Sequence, residues 1–119
     1  MRKVMLGMLL ITAAAGQTRP EEEIKAVLLR QQRDWNRGDV QAFLQGYEQS
    51  ETTTFVGTTI TRGYSQVLER YRRRYPTSDS MGTLIFSNIE VKMLDADYAS
   101  ALGHWHLARG SQAGGPIGG

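Results

Sequence analysis

Two histidines, His104 and His106, flank Trp105 in the stretch GHWHLAR, and the chain has no others. Two residues apart on a strand, their imidazoles share one face while Trp105 points to the opposite one. Such a pair could ligate a metal or relay a proton. A metal site needs at least a third ligand. The chain has no cysteine, and no His/Asp/Glu cluster has ligand spacing. No metal is therefore expected. Ala99, Ala101, Gly103, Trp105 and Leu107 make the more apolar set. That face is expected to meet the helices, which leaves the histidines on the outer sheet face or at a dimer contact.

Asp39, in WNRGD, is the candidate general base. Proton abstraction beside a carbonyl requires a buried carboxylate with a raised pKa. A Gly-Asp step between two helices also reads, more simply, as a helix cap. The run RYRRRYP could be an anion patch, but Tyr71 and Tyr75 mark its buried side. Arg70, Arg73 and Arg74 are then expected to face away, on a solvated helix face. Arg109, at the end of a strand, could hold a carboxylate at a pocket mouth. There is no Gly-rich phosphate loop, nucleophile elbow or metal motif, which argues against nucleotide, hydrolase-triad and metalloenzyme chemistry.

The elements that must position these residues follow from pattern. The chain has 119 residues, 40% hydrophobic and 22% charged, enough for one globular domain. Arg2 and Lys3 precede an apolar run over residues 4–11, too short to span a bilayer, and then Ala13-Ala14-Ala15-Gly16. Residues 1–16 thus read as a secretory signal peptide, so the protein is expected to be exported, to the periplasm or outside the cell. Its removal takes away two cations and no acid, so a net charge of +2 falls to near zero. A nucleic-acid partner is not expected, nor a membrane after cleavage.

Thr18 with Glu21 fits a capping box, and Ile24, Leu28, Gln31 and Trp35 share one helical face, with Val27 beside them. Gly38 ends this helix and Asp39 starts a short one carrying Val40, Phe43, Leu44 and Tyr47. Residues 52–56 read as a strand with a turn at Gly57. Tyr64, Val67, Leu68, Tyr71 and Tyr75 give a third helix, ended by Pro76. Ile89, Val91 and Met93 alternate as a half-buried strand, whereas Leu84 and Phe86 lie in the opposite phase. A bulge near Ser87-Asn88 reconciles them. Asp95-Ala96-Asp97 turns the chain into a partner strand over residues 98–109. The order α-α-β-α-β-β is an α+β fold with an antiparallel sheet.

That order, with the strings QQRDWNRGD, FLQGY, TRGYSQVLERYRRRYP, MGTLIFSNIEVKML and ALGHWHLAR, resembles the nuclear-transport-factor-2-like superfamily, and within it the SnoaL-like, ketosteroid-isomerase-like small exported domains. The resemblance covers residues 21–109, within a domain expected over residues 17–110. It implies a cone-like bent sheet wrapped around the long first helix, an apolar pocket between them, and often a homodimer through the outer sheet face. It also implies two further strands, so residues 111–119 are expected to be a Gly-rich loop in a truncated product or a fragment. In that architecture Trp35, Tyr47, Phe55, Tyr71, Tyr75 and Trp105 line core and pocket together, and Arg109 lies at the mouth. Gln31 would point inward, either to orient a ligand or to satisfy backbone groups. No cofactor is expected. The implied function is binding of a small apolar or carbonyl molecule, with or without acid–base chemistry in which Tyr47, Tyr71, Gln31 and Asp39 supply donors and base. A non-catalytic binding or dimerisation module, or a truncated non-functional product, is the alternative.

Overall fold

The computed structural model describes residues 19–119. The expected leader over residues 1–16 and the Thr18 cap lie outside the described residues. The first helix, α1, is Pro20–Asn36, and its N-cap position is Arg19 rather than Thr18. Pro20 sets this boundary. It holds Arg19 extended (φ −79°, ψ 147°) and occupies the first helical position, where no N–H is needed. Glu21, Glu22 and Glu23 fill the first turn, where the helix dipole favours negative charge. Gly38 ends α1 in the left-handed region (φ 78°), its N–H donating to Trp35 O at 2.8 Å.

The second helix, α2 (Val40–Phe43), continues as a 3₁₀ turn over Leu44–Gly46. Phe43 and Leu44 are buried there. A hairpin follows, β1 (Thr54–Val56) against β2 (Ile60–Arg62), where a single strand over residues 52–56 was expected. Both strands are only three residues long, too short for alternation to mark the second one. Helix α3 (Tyr64–Arg74) stops before Pro76 as expected. A single-turn helix, α4 (Ser78–Met81), was not anticipated. Thr77 caps it reciprocally with Ser80, a pairing outside the Glu/Gln form of the capping box.

Strand β3 (Thr83–Met93) pairs antiparallel with β4 (Ala99–Ala108). The register shifts between Ser87 and Glu90, with Asn88 at φ 51°. The bulge converts the inward phase of Leu84 and Phe86 into that of Ile89, Val91 and Met93, as the sequence required. Asp95 Oδ1 closes the turn by accepting from Asp97 N (2.7 Å) and Tyr98 N (2.8 Å).

The Gly-rich segment is not simply a loop. After a 3₁₀ turn at Ser111–Ala113, β5 (Ile117–Gly118) pairs with His106 and Leu107 of β4. Positive φ at Gly114 (105°) and Gly115 (76°) lets the chain double back there. Ile117 then packs against the core.

The core runs through Trp35, Phe43, Leu44, Val67, Tyr75, Met81, Leu84 and Leu107, with α1 laid against β3. Helix α1 is fixed there by side chains. Asn36 Nδ2 donates to Leu84 O (3.0 Å), and its Oδ1 accepts from Leu84 N (2.7 Å). One turn earlier, Gln32 Oε1 accepts from Phe86 N (2.8 Å). Leu84 and Phe86 lie opposite Leu107 and Trp105. In these positions their backbone groups point away from β4. Gln32 and Asn36 therefore serve the free edge of β3 as a neighbouring strand would.

Candidate functional site: an aromatic cavity

Between α1, α3, the β1–β2 hairpin and the inner face of β3–β4 lies a cavity of about 510 Å³. Trp35, Phe43, Tyr47, Phe55, Tyr71, Tyr75 and Trp105 line it, with Leu84, Phe86 and Leu107. The rings pack mostly edge to face. Trp35 lies 5.0 Å from both Phe43 and Tyr75, and Tyr71 lies 5.4 Å from Phe43 and 5.7 Å from Phe55, centroid to centroid. Trp35 is 3% exposed, and its Nε1 donates to Met81 O at 3.0 Å. Trp105 faces the cavity from the other side and is 37% exposed.

The polar centre of this wall is a tyrosine pair. The Tyr47 and Tyr71 hydroxyls lie 3.1 Å apart. One donates to the other, so one hydroxyl hydrogen has no partner among the described residues. Burial pushes the Tyr47 hydroxyl above its ordinary value, against the opposing effect of the bond from Tyr71. Burial pushes Tyr71 well beyond the tyrosine range, reinforced by the neighbouring Tyr47. Both stay neutral at physiological pH. They are donors rather than bases.

Other expected site residues lie elsewhere. Asp39 is exposed and accepts from Ala42 N at 2.9 Å, so it caps α2 and does not reach the cavity. Gln31 is buried at 6% exposure, and its Nε2 donates to Phe43 O (3.1 Å). Of its two expected roles it takes the backbone-satisfying one. Arg109 turns towards the C-terminal segment, where Nε donates to Gly115 O (2.9 Å) and Nη1 to Ser80 O (3.2 Å). It holds that turn in place and is not part of the cavity wall.

Arg70 and Arg74 were expected to face away, yet both line the cavity. Their long side chains lie back over rings that border it. Arg70 Cζ is 4.9 Å from the Phe55 centroid, and Arg74 Cζ is 5.8 Å from that of Tyr75. Helical period gives the direction of Cα–Cβ but not where a four-bond side chain ends. No carboxylate, histidine or lysine is among the lining residues.

His104 and His106 are exposed on the outer face, beside Ile85 and Leu102. No group of three potential metal-ligating side chains occurs among the described residues. No helix among them is long and apolar enough to cross a membrane.

No protein-family model and no curated protein matches the sequence. The fold is similar to the crystal structure of an NTF-2-like protein of unknown function from Shewanella oneidensis MR-1. The TM-score is 0.78 and the identity 34%, over 85% of this chain and 82% of that one. With the long first helix, the antiparallel sheets and the cavity between them, that likeness shows that the chain belongs to the NTF-2-like family.

Proposed function

We propose that the protein binds a small, largely apolar molecule in the aromatic cavity. The observation that carries this is the cavity itself: about 510 Å³, walled by aromatic and aliphatic side chains. That volume lies within the range of roughly 300–1,000 Å³ usual for small-molecule sites. The Tyr47–Tyr71 pair offers one O–H donor to a carbonyl or hydroxyl oxygen of the ligand. Acid–base chemistry through Asp39 is set aside, because its carboxylate is bonded to the α2 backbone. The lining tyrosines are too weakly acidic to replace it. Binding, rather than proton abstraction, is the activity these residues support. The composition of residues 1–16 favours binding outside the cytoplasm.

The test is fluorescence titration of the full chain with N-phenyl-1-naphthylamine, an uncharged probe that brightens in apolar surroundings. Both tryptophans of the chain line the cavity, so energy transfer from them reports a probe held there. Saturable brightening at one probe per chain, with transfer, is expected. No saturable signal would overturn the proposal.

A further inference from the structure

The arginines at the edge of the cavity indicate what the ligand carries. Arg70 is half-buried and Arg74 exposed, so the wall they form is where the cavity meets solvent. With Arg73 they also line a smaller adjoining recess of about 250 Å³. Among the described residues, neither Arg70 nor Arg74 has a carboxylate within 4 Å. An ion pair elsewhere joins Arg37 to Asp34, at the C-terminal end of α1.

Their protein hydrogen bonds are few and long. Arg70 Nη1 lies 3.5 Å from Thr59 Oγ1, and Arg74 Nε lies 3.3 Å from Tyr75 Oη. A guanidinium has five N–H donors in a fixed fork. Stacking on Phe55 and Tyr75 accounts for where the two planes lie, but leaves most of those donors unused. A simple solvated helix face would not bring both guanidinium groups onto the rings that border an apolar cavity.

We infer that the bound molecule is amphipathic: an apolar body in the cavity and an oxyanion at its edge, paired with Arg70 and Arg74. A carboxylate or a phosphate monoester matches the arginine fork. This inference rests on the binding function proposed above, and adds the charge of the ligand to it.

The test is displacement of N-phenyl-1-naphthylamine from the full chain by 2-naphthoate, 2-naphthyl phosphate and the neutral 2-naphthamide. At neutral pH and low ionic strength, at least one of the two anions is expected to displace the probe about tenfold more tightly than the amide, as one charge-assisted hydrogen-bond pair would give. Which anion does so distinguishes carboxylate from phosphate. The preference should shrink in high salt. It should vanish in Arg70→Gln/Arg74→Gln, each compound's displacement being read against that variant's own probe affinity. It should persist in Arg33→Gln/Arg72→Gln, which removes the same net charge from exposed positions away from the cavity wall. If the first double variant no longer binds the probe, Arg74→Gln alone, at an exposed position, carries the comparison. Equal displacement by anions and amide, or a preference that survives loss of the two arginines, would overturn the inference and leave the binding proposal standing. Failure of the probe and of all three compounds to bind would overturn both.

Discussion

Replacing Asn36 with alanine should show how much the α1–β3 clamp contributes. Asn36 makes two hydrogen bonds with the backbone of Leu84, at 2.7 and 3.0 Å. Both bonds are part-buried, so water replaces the amide only in part once it is gone. Two bonds at about 1 kcal/mol each give a loss of about 2 kcal/mol, with any unsatisfied burial adding to it. Alanine is the better helix former by up to about 0.7 kcal/mol, so intrinsic propensity pushes the other way. The expected net cost is therefore roughly 1.5 kcal/mol or more. Urea unfolding followed by tryptophan fluorescence should show a midpoint lowered by about 1.5 M or more, given a slope near 1 kcal/mol per M for a chain of this size. Gln32→Ala breaks one such bond and should cost about half as much. Gln41→Ala, which loses an exposed contact with Arg72, should change little. An unchanged or raised midpoint for Asn36→Ala would refute the idea that side chains stand in for a strand at the β3 edge.

The remaining expectations concern the cavity and its supports. Tyr47→Phe and Tyr71→Phe should each cost about 1 kcal/mol, while the double variant should be nearly neutral relative to either single one, a coupling that a double-mutant cycle in urea would measure. Because both tyrosines are harder to ionise in the folded chain, their contribution is complete below the ordinary tyrosine value of 10.0 and is lost as pH rises above it. Melting temperature should therefore fall above about pH 10, less steeply in the double Phe variant. Gly82→Ala should destabilise by about 2 kcal/mol or more, because Gly82 sits at φ 64°, ψ −157°, a region essentially reserved for glycine, and a Cβ would meet the Ala108 carbonyl. Gly46→Ala should cost roughly 1–3 kcal/mol by overpacking, since a Cβ there would lie 2.5 Å from Gln31 Cδ; thermal melts check both glycines. His104→Ala/His106→Ala should leave probe binding unaltered, since both imidazoles are on the outer face; a loss of binding would place them in the site.

Legibility in the sequence followed the range of the interactions. Local period placed α1, α3 and the β3–β4 hairpin, and the phase reversal from Leu84 and Phe86 to Ile89 and Val91 located the bulge. Alternation around Trp105 separated it from the histidines. Long-range roles of polar residues were not legible. Gln32 and Asn36 are not among the residues that mark the apolar face of their helix, yet each meets a backbone more than forty positions away. Arg70 and Arg74 read as outward from helical period, and only the positions of Phe55 and Tyr75 show where their guanidinium groups rest. Ile117, isolated among glycines, carried no alternation, and its strand exists only because β4 offers it an edge. Asp39 was legible as a cap from its position between two helices, and the structure makes it one.

The central claim is that the cavity, and not the outer sheet face, binds an apolar molecule. The most direct measurement is an NMR titration of ¹⁵N-labelled full-length protein with N-phenyl-1-naphthylamine. The expected result is saturable shifts of the Trp35 and Trp105 indole N–H signals and of the Phe86 and Leu107 amides, all of them residues of the cavity wall. Shifts confined to Ile85, Leu102, His104 and His106, with both indole signals unmoved, would contradict it.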